Sequence, residues 1–150
     1  MKYIKSRATD LELKLPIEQW KLVHKYIGPN RTHGDGYYNE DKYAWIEVYD
    51  ECNPGNSLIY GGMGPVAIIC LTENQHLPLS LHLSVLEVFS EYRNRGVGST
   101  ILTDLETVAK SQNLKTITLQ VYKPELKLYY KKFGFIERTI NKVKIMRKYL

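Results

Sequence analysis

The chain has 150 residues, 43% of them hydrophobic, which calls for one folded domain over 1–150 with a real core and excludes a disordered segment. No apolar run reaches the ~18 residues of a membrane helix, and the opening "MKYIKSRATDL" lacks the apolar stretch and cleavage site of a secretory signal. The net charge of +5 is uneven: residues 1–75 carry 8 Lys and Arg against 10 Asp and Glu, while residues 76–150 carry 13 against 6, so the second half calls for an anionic ligand, either a phosphate-bearing cofactor or a nucleic acid.

In chain order, "KYIKSRA" (2–8) reads as a first strand. "PIEQWKLVHKYIG" reads as a helix: Pro16 suits its first turn, Ile17, Trp20, Val23, His24 and Ile27 recur near helical spacing, and Gly28-Pro29 ends it. Residues 30–41 form a polar loop. "YAWIEVYDE" and "PVAIICLTE" are strands, the first bounded by the turn signal "NPGN". In "LSLHLSVLEVF" (79–89), Leu79, Leu81, Leu83 and Val85 alternate with Ser80, His82 and Ser84, the mark of a strand with one apolar and one polar face. The alternation slips at Val85-Leu86, which reads equally as a β-bulge or as a strand buried on both faces. "STILTDLETVAKSQ" follows as a helix with Ile101, Leu102, Leu105, Val108 and Ala109 on one face. "KTITLQVY" is a strand, "PELKLYYKK" a short helix between Pro124 and Gly134, and "FIERTI" and "VKIMRKYL" are closing strands. The order β-α-β-β-β-α-β-α-β-β predicts an α/β fold, a central mixed sheet flanked by helices. Cys52 and Cys70 are too few for a disulfide framework and lack zinc-site spacing, so free thiols in a reducing cytoplasm and no metal are expected.

The segment "YRNRGVGST" joins the alternating strand to the second helix. Glycines at 96 and 98 let main chain approach a ligand, the helix start offers unpaired N–H groups, and Arg93 and Arg95 add charge, which together describe a phosphate site. Neither the P-loop nor the dinucleotide spacing is present.

"VLEVFSEYRNRGVGSTIL" resembles the acetyl-CoA signature of the GNAT N-acetyltransferases, Arg/Gln-x-x-Gly-x-Gly/Ala, carried here by Arg93, Gly96 and Gly98. "YYKKFGF" resembles the second signature of that family, through Tyr130, Gly134 and Phe135. The likeness is specific over 79–150 and topological before that. It implies the GNAT acyl-CoA N-acyltransferase fold, with acetyl-CoA as co-substrate and acetyl passed directly to a primary amine within a ternary complex. Main-chain amides of Asn94, Arg95, Gly96, Val97, Gly98 and Ser99 would hold the pyrophosphate, Arg93 would add charge, and main-chain groups of Leu86 and Val88 would pair with the pantetheine arm. The Val88 N–H would serve the developing oxyanion. The family often carries an Asn after its fifth strand; Pro124-Glu125 stands in that region here.

Acyl transfer needs a neutral amine and a proton for the departing thiolate. His82, on the polar side of its strand with an ordinary pKa near ~6.5, is the candidate base. By the resemblance it falls where histone acetyltransferases of the family carry a Glu and serotonin N-acetyltransferase a His, while Ser84 replaces that enzyme's second His. Hydrogen bonding across the sheet is the other reading of His82. Glu87 is the rival base; its parity directs it to the core unless the slip turns it outward. Tyr130 is the candidate acid, with core packing as its alternative. The acceptor in this family enters over residues corresponding to 28–41 and 136–144. Asp35, Glu40 and Asp41 with His33, Tyr37, Tyr38 and Tyr43 favour a cationic amine, from a small molecule or from a protein lysine or N-terminus, against a solvated loop. A tRNA-directed acetyltransferase toxin and a non-catalytic CoA-binding module are the alternatives. Nucleic acid is disfavoured, because CoA accounts for several of the basic charges. A homodimer fits the family's habit, and no membrane partner is expected.

Overall fold

A computed structural model describes residues 1–6, 43–50, 65–73, 77–121, 123–140 and 142–150. The predicted helix over 16–28, the acceptor loop over 30–41, the "NPGN" turn and Cys52 lie outside them. Seven strands, β1 (Lys2–Ser6), β2 (Tyr43–Tyr49), β3 (Ala67–Glu73), β4 (Ser80–Val88), β5 (Thr116–Leu119), β6 (Ile136–Ile140) and β7 (Val143–Tyr149), form one sheet in the order β1-β2-β3-β4-β5-β7-β6. The sheet is mixed: β4 and β5 are parallel, whereas β1/β2, β5/β7 and β6/β7 are antiparallel. Two helices are described, α1 (Val97–Ser111) and α2 (Pro124–Lys132). No described helix is long and apolar enough to cross a membrane. The order of described elements is the expected one.

Contacts group these residues into two compact units, 1–71 with 85–100 and 72–84 with 101–150; the chain passes between them within β3, β4 and α1. The first unit buries Trp45, Val48, the run Val66–Cys70, Val85, Phe89, Tyr92 and Val97. An unbroken apolar run such as "VAIIC" is what a strand covered on both faces requires. Cys70 is a free, buried thiol, and burial raises its pKa far above the ordinary value. Glu47 is also buried here, its carboxylate accepting from the Ser6 hydroxyl at 2.5 Å and the Tyr49 hydroxyl at 3.3 Å. Burial and the neighbouring Glu47 charge push the Tyr49 phenol up to about 12.

In the second unit Leu83, Ile101, Leu102, Leu105, Ala109, Ile117, Leu119, Phe135, Ile145 and Met146 are buried. Lys148 pairs with Glu106 of α1 at 2.6 Å. Lys148 is in register with Ile117, so α1 lies over the sheet face that carries Ile117 and Leu119. Three expectations are corrected. Leu79 is 56% exposed, because it sits at φ 57° in the turn before β4, its carbonyl accepting from the Lys115 N–H at 2.7 Å. Val108 is exposed, on the edge of the apolar stripe of α1. In β4 the alternation does not slip: Leu83, Val85 and Glu87 are buried while Ser84, Leu86 and Val88 are half-buried.

The end of α2 explains the "YYKKFGF" spacing. Phe135 N–H bonds the carbonyl of Tyr130 at 3.2 Å and Gly134 N–H that of Lys131 at 3.0 Å, with Gly134 at φ 89°. This is the Schellman stop, and its customary apolar contact is the Tyr130–Phe135 ring pair, 5.8 Å apart and edge to face. A Cβ at Gly134 would lie 3.4 Å from Lys148 Cε. Gly134→Ala is therefore expected to cost about 1–2 kcal/mol and to lower the thermal midpoint by several degrees, measured by circular dichroism; an unchanged midpoint contradicts this account of the helix end.

Candidate active site

The first unit holds the glycine turn. After Phe89 a single 3₁₀ turn, Ser90–Tyr92, reverses the chain. Asn94 and Gly96 then take left-handed backbone, φ 61° and 78°, which Asn tolerates and Gly adopts freely. The helical ladder of α1 begins with Thr100 N–H on the Gly96 carbonyl at 3.0 Å. The N–H groups of Val97, Gly98 and Ser99 precede that ladder. The first turn contains no acidic residue, so nothing opposes the positive end of the helix dipole. A Cβ built on Gly96 meets nothing within 4 Å; the backbone there borders open space. α1 begins two residues earlier than its sequence pattern indicated, which puts Gly98 inside its first turn.

The two arginines behave differently. Arg95 is exposed, its guanidinium 6.0 Å from the centre of the buried Tyr92 ring. Arg93 folds back onto β4, donating from Nε to the Val88 carbonyl at 2.9 Å and from Nη2 to Glu87 Oε1 at 2.5 Å. Glu87 is 3% exposed. The parity expected of Glu87 holds, and its carboxylate is committed to Arg93.

Main-chain parity is fixed at the same point. Phe89 N–H bonds the Val66 carbonyl at 3.0 Å. In an extended chain the N–H and C=O of one residue point to one edge and those of its neighbour to the other. Leu86 and Val88 therefore direct their main-chain groups to the edge away from Val66.

In the second unit, the registered pairs of β4 with β5 run Ser80↔Thr116, Leu81↔Ile117, His82↔Thr118 and Leu83↔Leu119, and stop there. β4 continues to Val88. The polar face carries a ladder: Ser80 Oγ bonds Thr116 Oγ1, and His82 Nδ1 bonds Thr118 Oγ1 at 2.8 Å. With Nδ1 engaged, Nε2 is the ring nitrogen left for proton transfer. Burial lowers the His82 pKa below 6.5, because it disfavours the imidazolium. Thr118 was not singled out from sequence, although the Thr-Ile-Thr-Leu alternation facing Ser-Leu-His-Leu contains the signal.

Tyr130 is buried and packs edge to face on Tyr129 at 5.2 Å as well as on Phe135. α2 lies on the α1 side of the sheet: Lys127 pairs with Glu137 at 3.3 Å, and Gly134 abuts Lys148. His82 is on the opposite face, in register with Thr118 and, across β5, with Arg147. Glu87 and Arg93 are thus brought together, as are His82 and Thr118, while His82 and Tyr130 occupy opposite faces of the second unit's strands. Among the described residues no cluster of His, Cys, Asp and Glu would hold a metal ion.

Comparison with known proteins gives a family and a fold. A sequence model described as the acetyltransferase (GNAT) family matches residues 20–135. No curated protein matches the chain in sequence. Among solved structures, the chain is similar to PaiA N-acetyltransferase from Thermoplasma acidophilum in complex with coenzyme A, with TM-score 0.56, 15% identity and 100% of both chains covered. It is also similar to a spermidine N-acetyltransferase SpeG chimera from Vibrio cholerae and hSSAT, with TM-score 0.59, 18% identity and coverage of 99% of this chain and 96% of that one. A GNAT-family acetyltransferase from Staphylococcus aureus gives TM-score 0.59 at 14% identity, covering 99% and 98%. At these identities the likeness is one of fold.

The depressed His82 pKa has a direct check. The ring resonances of His82, followed by NMR against pH, are expected to titrate with a midpoint below 6.5; a midpoint at or above the ordinary value would mean that the ring is hydrated or paired with an anion.

Proposed function

Because the chain belongs to the GNAT acetyltransferase family, whose co-substrate is acetyl-CoA, we propose that it is an acetyl-CoA-dependent N-acetyltransferase, a single domain over 1–150, that passes acetyl directly to a primary amine. The observation that carries this reading is the turn Arg93–Gly98: left-handed Gly96 beside open space, leading into a helix start free of acidic side chains. A diphosphate fits such a cradle, since N–H groups and the dipole end supply the counter-charge and no side chain fills the space. Main-chain amides of residues 94–99 would hold it, with Arg95 adding charge. Arg93 is held by Glu87 and Val88, so its part is to shape the turn. Leu86 and Val88 direct main-chain groups to the strand edge away from Val66, as a strand-like ligand arm requires.

When bound, acetyl-CoA supplies an activated acyl group on a thiol leaving group. The protein's contribution is positional and protonic. The Val88 N–H is the donor for charge gathering on the acyl oxygen. His82 takes a proton from the amine at Nε2, directly or through water, while Thr118 fixes the ring plane. Its lowered pKa keeps it neutral, and so able to accept, at neutral pH. Tyr130 would protonate the leaving thiolate. The acceptor is read as a cationic amine of a small molecule or protein. The carboxylates within residues 30–41 of the sequence and the naming of two similar folds as a spermidine N-acetyltransferase and an N-acetyltransferase favour that choice. The free buried thiol of Cys70 fits a cytoplasmic setting.

The deciding test is titration calorimetry with CoA and acetyl-CoA, followed by thiol-release assays over polyamines, amino sugars and lysine peptides with and without RNase. Binding of CoA and RNase-resistant turnover of one amine class are expected; no heat with either ligand rejects the assignment. Replacing Gly96 with Trp is expected to abolish CoA binding while the protein stays folded. His82→Ala is expected to lower kcat by roughly 10²–10⁴-fold and to remove an acid limb lying below pH 6.5 from the rate profile. An unchanged limb rules His82 out as base. Tyr130→Phe is expected to lower kcat with the CoA Kd unchanged.

A further inference from the structure

Glu87 is the only acid on β4, and it is 3% exposed. Its Oε1 lies 2.5 Å from Arg93 Nη2, and the same guanidinium donates through Nε to the Val88 carbonyl at 2.9 Å. The peptide between Val88 and Phe89 is thereby held from both edges, since Phe89 N–H is fixed on the Val66 carbonyl at 3.0 Å. Arg93 is also the residue that opens the glycine turn, its own N–H bonded to the Ser90 carbonyl at 3.4 Å. One guanidinium thus ties the last residue of the strand to the first residue of the turn, and the buried carboxylate supplies the acceptor that keeps it there. Without that carboxylate, a side chain already 49% exposed would have water as its better partner.

We infer that Glu87 is a positioning residue that acts through Arg93: it clasps the guanidinium against the Val88 carbonyl, sets the entrance of the phosphate turn, and leaves the Val88 N–H as the main-chain group offered to the acyl carrier. Glu87 is then not the base. Its carboxylate already serves a cation and is closed to an incoming amine. The inference rests on the CoA-binding reading above, and wild-type CoA binding is measured beside the variants so that the two are judged separately.

The test compares wild type with Glu87→Gln, Glu87→Ala and Arg93→Lys, reading CoA Kd by calorimetry and the thermal midpoint of each. The Gln amide oxygen still accepts from Arg93, so Glu87→Gln is expected to stay within about threefold of the wild-type Kd. Ala removes the acceptor, and Lys cannot reach both partners from one planar group. Each is expected to raise the Kd about tenfold or more, the worth of one charge-assisted bond. Rescue by Gln separates a clasp from a charge requirement, and for the acetylation reaction it separates a clasp from a base, since a base is lost equally in Gln and Ala. A wild-type CoA Kd in Glu87→Ala overturns the inference; so does a Gln variant as impaired in Kd as the Ala one. Should Glu87→Ala fail to fold, the Gln and Arg93→Lys variants decide: an unchanged Kd in Arg93→Lys, or a tenfold loss in Glu87→Gln, overturns it. Absence of CoA binding by wild type rejects the family-level reading instead.

Discussion

β4 is nine residues long and pairs in register with β5 over four of them. The other consequences follow from that mismatch. A strand that continues past its registered pairs must satisfy its main-chain groups elsewhere, and those of Leu86 and Val88 point to the edge away from Val66. The protein caps the far end itself, with Arg93 on the Val88 carbonyl. The chain then turns through two left-handed residues into a helix whose first N–H groups precede the ladder. The main-chain groups of Leu86 and Val88 and the start of α1 follow one another within a dozen residues.

Burial distinguishes the polar groups near this edge. His82 is tied by a neutral hydroxyl, so burial acts on it unopposed and holds it uncharged. Glu87 is buried beside a guanidinium, the usual condition for a carboxylate inside a protein. One group on the strand is bonded to a neutral hydroxyl, the other to a guanidinium, a difference in partner that their sequence positions alone do not carry. On the surface of the second unit, Lys148 and Lys110 both bond Glu106 and hold its carboxyl below the ordinary range.

Much of this was legible in the residues. Period two in "SLHLSV" and in "KTITL" marks paired strands with one polar face, and the glycine turn followed by an apolar helical stripe marks the left-handed entry into α1. Side-chain partnerships at long separation were not legible. His82 meets Thr118 across 36 positions, a matter of strand register that local pattern does not encode. Val85 and Leu86 read as a slip because two apolar residues stand side by side; Leu86 is half-buried, and Glu87, bonded to Arg93, takes the buried place that an apolar residue would fill. Leu79 reads as strand by its neighbours, yet the turn before β4 needs a left-handed residue there, and tertiary bonding to Lys115 overrides its preference.

The way α2 stops has a bearing on how Tyr130 will be understood. Its carbonyl receives two main-chain bonds and its ring supplies the apolar contact that locks the helix terminus, so the residue with a proposed part in proton delivery is also a fastening of the fold. Spacing between Tyr130 and Gly134-Phe135 would be kept by folding requirements even in a descendant that had abandoned chemistry. The motif by itself is therefore a record of architecture, and only the phenolic oxygen, which the fastening does not use, speaks for activity.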